Sequence, residues 1–530
     1  MHGLTPSICL ANEKRISFLW YFLLPLALLA LAPSSQSLWI DESYIARFVA
    51  LPNNLQEWCI LAWRDPLAEP FKPGYALTAY FFSYIFGVTE YGLRCANLVW
   101  GATALVALGL VGKKIRISWL PLAFAAHPFV WFYMNEARPY AMQLAASSWM
   151  LTALVFLTVP DGMRRSRVIW TNVFWVASLA CYSANMLGSL SIASCLIAAA
   201  GIFIRKRRWP EREVWMWSAP WILLHAFLSV YFVYRMATYP SSVGAICWPL
   251  TPANIGFALY ELLGFLAFGP GRDEIREVAQ STGVRGVLSL MVPCAIFLGG
   301  FAAFNIVALI GGIKSWLAGT HRLFIFLFSA AAALNILFMF IGAYFAGWPF
   351  WGRHLTPVFP FLLCLCAIGY AGFGNLTKTL ASIWVGMMLA ASIHMRFGEM
   401  HPKDDYRSAA AYARTVIAQQ KTVWWAADDI SANYYNLFPV NKEAAAQHHY
   451  APPFAYSRWP QPPPAGSTPG EALLVVSPLP EQLAVLPYPY TIILSKVDIN
   501  DMNGVLRDWM RNNRFRLVKS FAAFSVWQAD

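Results

Sequence analysis

The sequence predicts an α-helical polytopic membrane protein of roughly eleven transmembrane helices, carrying a small C-terminal α/β domain outside the membrane. Three observations predict it. The 530 residues are 58% hydrophobic and only 12% charged, with 24 Trp and a mean hydropathy of +0.48, whereas soluble domains carry about 25% charged residues. Long apolar runs alternate with short basic clusters, and near residue 400 the chain turns polar. The expected division is residues 1–398 as the membrane module and 399–530 as the soluble extracytoplasmic domain.

The formal charge of +12 does not point to nucleic acid. The basic residues sit in clusters between apolar stretches, as orientation signals do, and no DNA- or RNA-binding motif accompanies them. Of the nine cysteines, Cys181, Cys195, Cys294, Cys364 and Cys366 lie in apolar stretches and no CxxC pair occurs. They read as small apolar residues, not as a disulfide frame or a metal site.

The first apolar segment, Ile16 to Ala32, follows Glu13-Lys14-Arg15. It has the look of a signal peptide, yet about 17 apolar residues also suffice for a short spanning helix, and an uncleaved helix is the expectation. Both readings put Asp41 outside. The basic clusters Lys113-Lys114-Ile115-Arg116, Arg164-Arg165-Ser166-Arg167, Arg205-Lys206-Arg207-Arg208, Lys314 with His321-Arg322, and Lys378 are then assigned to the cytoplasm. Spans follow at 16–33, 93–112, 118–135, 140–159, 168–184, 187–204, 214–234, 287–312, 323–346, 355–374 and 379–395. The apolar stretch Gly74 to Val88 is too short to count and is read as short, tilted or re-entrant, because a span there would invert every later cluster.

In the tail, Tyr406 to Gln420 has helical spacing of apolar residues. Strand-like runs follow at 422–426, 472–476, 490–494 and 521–527, with Pro-rich coil between them.

With this topology the unusual polar residues gather on one outer face. Asp41-Glu42 opens the first outer loop, where adjacent carboxylates at the end of an apolar helix are an expensive arrangement. Glu69-Pro70-Phe71-Lys72-Pro73-Gly74-Tyr75 closes that loop. Asn135-Glu136-Ala137-Arg138-Pro139-Tyr140 forms the next outer turn, and Trp351-Gly352-Arg353-His354 starts a later span.

In these residues the chain resembles the GT-C superfamily of membrane glycosyltransferases, in the bacterial branch with the protein O-mannosyltransferases and the lipid A aminoarabinose transferase. The resemblance lies in Asp41-Glu42, Lys72-Pro73, Arg94, Ala137-Arg138-Pro139-Tyr140, the Gly352–Pro357 stretch and Asp404-Asp405-Tyr406-Arg407, and covers residues 15 to 410. It implies transfer of a sugar from a polyprenyl-phosphate donor to a lipid, glycan or protein acceptor, on the periplasmic face of a bacterial inner membrane. An inverting transfer needs a carboxylate to take the acceptor's proton and cations to hold the departing phosphate. The resemblance makes Asp41 the base, with Glu42 either positioning the acceptor or supporting the hydrogen bonds that keep Asp41 ionised. Lys72, Arg138 and Arg353 become phosphate ligands, with Tyr75, Arg94, Glu136, Tyr140 and His354 completing the substrate contacts. It implies no cofactor. No Asp-x-Asp stands in the first outer loop, and no metal is expected. The extra residue in Glu69-Pro70-Phe71-Lys72 departs from the family's Glu-Lys-Pro pattern and leaves Glu69 without a role.

Each residue also has a plainer reading. Asp41-Glu42 would cap an interfacial helix beginning near Ser43, Lys72 would snorkel, and Arg138 would start a helix. Arg94 divides evenly between structural and functional readings. Arg353 and His354 follow the aromatic belt of Trp348, Phe350 and Trp351. Glu136 would pair with Arg138, His127-Pro128 would be structural, and Asp404-Asp405 would be a solvated helix start. The rival functions are a transporter or flippase of lipid-linked sugars, which would carry mid-bilayer charges and internal repeats, and a surface-polysaccharide polymerase or ligase, which would carry a large late outer loop.

Overall fold

A computed structural model describes residues 19–64, 73–159, 164–207, 211–238, 250–348, 350–398, 401–440, 458–460 and 470–529. Lys72 and Glu69 lie outside the described residues, as does the start of the first expected span. The chain divides into two compact units. One comprises residues 1–34, 69–75 and 94–401; the other comprises 35–68, 76–93 and 402–530. The second unit thus takes in most of the expected first outer loop together with the polar tail.

The first unit is helical. Across the described residues of the whole chain, eight helices are long and apolar enough to cross a membrane, and they coincide with eight of the eleven expected spans. The expected 118–135 span is instead two seven-residue helices, Leu120–Ala126 and Pro128–Met134. Pro128 forces His127 into an extended conformation, and the His127 Nδ1 accepts the Phe129 N–H at 3.2 Å to cap the second piece. The expected 168–184 span is the helix Arg164–Ala184, whose first turn carries the basic cluster and lowers its apolarity. Of the first expected span, the described part includes the apolar helix Tyr21–Ala30.

The basic clusters gather at one end of this bundle. Arg164 pairs with Glu213 at 3.0 Å and Arg167 with Glu211, while Lys206 Nζ donates to the Thr158 carbonyl at 3.0 Å. Lys114 sits 5.2 Å from the Phe156 ring. The helix Tyr140–Thr158 runs from there to the opposite end, a span of about 28 Å at 1.5 Å per residue. The Glu136–Tyr140 turn therefore lies far from the basic residues.

The second unit is a layered α/β structure. Five strands, β1 (Val423–Ala426), β2 (Ala472–Leu474), β3 (Thr491–Ser495), β4 (Arg516–Phe521) and β5 (Phe524–Gln528), form one sheet in the order β2-β1-β3-β5-β4. β1 is parallel to both β2 and β3, while β5 is antiparallel to β3 and β4. Alternation sends Trp425 and Ile493 into one core with Tyr406, Ala410 and Phe524, and Trp424 and Ile492 into another with Leu506 and Met510. The helix Tyr406–Ala418 buries Tyr406, Ala409, Ala410, Ala413 and Val416, and the Asp405 side chain caps it by accepting the Ser408 N–H at 3.0 Å. The expected single strand at 521–527 is a hairpin, turning at Ala523 with φ of +64°. Pro73–Phe86, of 14 residues, is about 21 Å long, short of the roughly 30 Å hydrocarbon core.

Candidate functional site

The acidic pair occupies the first turn of the helix Ile40–Ala50. The structure separates the two carboxylates. Glu42 is fully buried; one oxygen accepts the Trp39 N–H at 3.4 Å and the other pairs with Lys403 Nζ at 3.0 Å. It is both a helix cap, satisfying an N–H that the helix cannot, and half of a buried ion pair. Asp41, one residue earlier, is half-buried.

Other residues of this unit hold the segment that enters the helix. The Tyr435 hydroxyl accepts the Leu38 N–H at 2.7 Å and the Ser37 hydroxyl at 3.2 Å, and donates to Glu90 at 3.1 Å. Arg407 donates to Glu90 and, at 2.7 Å, to the Ser35 carbonyl. The Ile40–Ala50 helix packs on the short helix Asp429–Tyr434 that follows β1. Asp404, expected to be solvated, is buried and ion-paired with Lys496 at 2.6 Å, because the tail folds its polar start against the end of β3. A cavity of about 480 Å³ in the same unit is lined by Glu90, Arg407, Tyr434, Tyr435, Arg458 and Trp459.

The second cluster belongs to the helical unit. Arg138 is buried, lies 5.2 Å over the Tyr140 ring, and feels the charge of Arg353. Burial pulls its guanidinium down to about 10, with Arg353 adding to the effect, so it remains a cation at neutral pH. The Arg138 N–H donates to the Glu136 carbonyl, which also accepts from Asn97 Nδ2, fixing the turn before the Tyr140–Thr158 helix. Arg353 stacks 3.8 Å over Trp351, and the His354 ring lies 5.5 Å from the same indole. The aromatic belt and the cation are thus one assembly. Tyr75 is fully buried. Arg94, also fully buried, donates to the carbonyl and hydroxyl of Ser34 at 2.9 and 3.2 Å.

Glu261 is a residue that sequence reasoning missed. It is buried, its Oε2 accepts the Gly352 N–H at 3.0 Å, and it holds the segment bearing Arg353. A lone carboxylate in the apolar stretch Ile255–Phe268 was the available signal. Lys403, Lys496 and Tyr435 carried no local signal. Among the described residues, no three His, Cys, Asp or Glu side chains group as metal ligands.

The fold and these clusters define a mostly helical chain of membrane-spanning character with a small α/β sheet. No protein-family model matches the sequence, and no curated protein sequence does. Among solved structures, the chain is similar to ArnT from Cupriavidus metallidurans bound to undecaprenyl phosphate, at 13% identity and a TM-score of 0.45 over 96% of this chain and 97% of that one. It is similar to the apo state of the same protein, at 12% and 0.44 over 98% of each chain. The Archaeoglobus fulgidus oligosaccharyltransferase with zinc and sulfate follows, at 11% and 0.43 over 74% of this chain and 55% of that one. At such identities and scores no residue role transfers to this chain.

Proposed function

We propose that this protein is an integral-membrane glycosyltransferase that moves a sugar from a polyprenyl-phosphate carrier to an acceptor on the extracytoplasmic face of a bacterial inner membrane. The observation that carries the reading is the buried Arg138 beside the like-charged Arg353. A buried guanidinium acted on by a second, half-buried one is costly alone and suits a phosphate, which both can meet through paired N–H donors. Lys72 joins them as the third phosphate ligand, and Tyr75, Glu136, Tyr140 and His354 complete the contacts to the lipid phosphate and sugar. The gathering of the basic clusters at the far end of the bundle supports an extracytoplasmic placement of the arginines by the positive-inside rule.

Asp41 is the base that takes the acceptor's proton as the new bond to the anomeric carbon forms and the bond to the carrier phosphate breaks. Glu42, fully buried and ion-paired, supports it. The soluble region 399–530 shapes the acceptor side. The reaction inverts the anomeric centre.

The test is transfer of radiolabelled sugar from a mixed polyprenyl-phosphate-sugar pool, in membranes carrying wild type, Asp41→Asn or Lys72→Ala at matched expression. Wild type moves label to a new product, and Asp41→Asn loses about 10²-fold or more, the scale of a positioned general base. Full transfer by Asp41→Asn returns Asp41 to helix capping. Label that crosses the bilayer without changing carrier makes the protein a flippase.

A further inference from the structure

The cavity of about 480 Å³ in the second unit has walls that the fold fixes from several directions. Arg458 donates its backbone N–H to the Ala50 carbonyl and Nη2 to the Val49 carbonyl, each at 2.8 Å, closing the C-terminal end of the Ile40–Ala50 helix. Its Nη1 donates to the Ser83 hydroxyl at 2.8 Å, and the guanidinium lies 4.4 Å over the Tyr84 ring. Tyr434 donates to the Val88 carbonyl at 2.8 Å, and its ring meets Trp459 at 5.9 Å and Tyr435 at 4.9 Å. The Tyr435 hydroxyl is held by Ser37, Leu38 and Glu90. Such a cavity is formed before a ligand arrives, which lowers the cost of binding.

Charge in the lining nearly cancels. Glu90 pairs with Arg407, and the Arg458 cation sits at the carbonyl end of a helix, whose partial negative charge offsets it. A phosphate or carboxylate would therefore meet Glu90 with little surplus positive charge to hold it. With 48% of the Arg407 side chain and 16% of the Glu90 side chain exposed, the pair is reached from solvent, and an alkyl chain would strip its water without replacing the hydrogen bonds. The chemistry that fits is uncharged and rich in hydroxyls. Both protein bonds to Glu90 fall on Oε1, so Oε2 remains an acceptor. The Arg407 side chain reaches Glu90 and Ser35 through Nη2, and a guanidinium carries donors on two further nitrogens. Neighbouring hydroxyls of a pyranose, each both donor and acceptor, match this pairing, and its C–H faces suit the rings of Tyr434, Tyr435 and Trp459.

We propose that this cavity is a saccharide-binding site that holds an uncharged pyranose unit of the acceptor, with Glu90 and Arg407 bonding its hydroxyls and the aromatic rings against its C–H face. The assignment to the acceptor rests on the transferase reading; the binding of a sugar does not. Arg407, Tyr434 and Trp459 all belong to the soluble region, so the site gives that region a means of selecting acceptors.

The test uses the full chain in lipid nanodiscs, where no glycoside detergent competes. Saturation-transfer NMR probes it with the methyl glycosides of glucose, galactose, mannose and N-acetylglucosamine, alongside a sugar phosphate, a uronic acid and a short uncharged peptide. Wild type passes saturation to at least one neutral glycoside. Glu90→Gln weakens that binding about tenfold or more, the change expected for one hydrogen bond to a charged group, and Trp459→Leu weakens it likewise. Melting curves show which variant keeps the wild-type fold, and either one suffices. In the radiolabel assay the bound glycoside inhibits transfer or takes the label, and does so less in the variant. The proposal is overturned if wild type binds no neutral glycoside at millimolar concentration, if the folded variant binds as wild type does, or if only the anions or the peptide bind. Binding that leaves an active transfer untouched overturns the assignment to the acceptor. If wild type transfers nothing, the transferase reading fails, and the NMR arm decides separately whether the cavity takes a sugar.

Discussion

Replacing Gly352 by alanine tests how the Arg353 segment is held. A Cβ at this position would fall 2.4 Å from Glu261 Oε2 and 2.8 Å from Glu261 Cβ. Rotating the carboxylate relieves the first contact but not the second, so the segment or the Pro252–Leu262 helix must move. Movement breaks the 3.0 Å bond from the Gly352 N–H to Glu261. A hydrogen bond to a charged group is worth about 1.5–3 kcal/mol, and overpacking adds about 1–3 kcal/mol, giving an upper bound of about 6 kcal/mol if nothing relaxes. Gly312, in the helix Ala295–Leu317, is the control, because nothing lies within 4 Å of its would-be Cβ. Alanine there gains up to about 1 kcal/mol of helix propensity. The assay is thermal unfolding in detergent alongside radiolabel transfer. Gly352→Ala should melt several degrees below wild type and transfer about tenfold less or worse, the change expected for about 1.4 kcal/mol lost at Arg353. Gly312→Ala should match wild type or exceed it. If the two variants melt within a degree of each other and both transfer fully, the Glu261–Gly352 contact does not hold the segment.

Two further outcomes follow from buried polar groups. Arg94→Ala removes a fully buried guanidinium from Ser34 and should destabilise the protein by about 2–4 kcal/mol; transfer lost with unchanged melting would instead make Arg94 a substrate contact. Burial, with Asp429 adding, pushes the Asp428 carboxyl up to about 6. The folded state therefore holds this proton more tightly than the unfolded chain. Its stabilising contribution is present below about pH 4 and is lost as pH rises through about 6. Asp428→Asn still accepts the Ser431 N–H, so it should gain about 1 kcal/mol over wild type above pH 6 and little below pH 4, the full ~3 kcal/mol being reduced by the edge Asp428 keeps to solvent. Melting curves at pH 4 and pH 7.5 check this, and a gain that is equal at both refutes it.

What the sequence determined by itself is the pattern that depends on near neighbours. Eight apolar runs long enough to cross a membrane are helices because, in lipid, a helix alone satisfies its own backbone. The runs at 422–426, 472–476 and 490–494 contain β1 and β2 and all but the last residue of β3, since β-branched and aromatic residues fit a pleated, buried surface. The β4–β5 hairpin was not legible: β4 is an edge strand exposed along most of its length, and its Arg516 and Lys519 break any apolar alternation. The break at His127–Pro128 was written in the proline but hidden by the apolar run around it. At the candidate site the sequence singled out Asp41, Glu42, Arg138 and Arg353 as charges in unusual places. It could not say that Glu42 would be buried and ion-paired. That was decided by Lys403, which lies beyond every membrane span and meets Glu42 only through the fold. Glu261 likewise acquires its role by accepting the Gly352 N–H from a distant segment. Charge pairing across long sequence separations leaves no periodic trace, because it depends on burial and distance, and those exist only once the chain has packed.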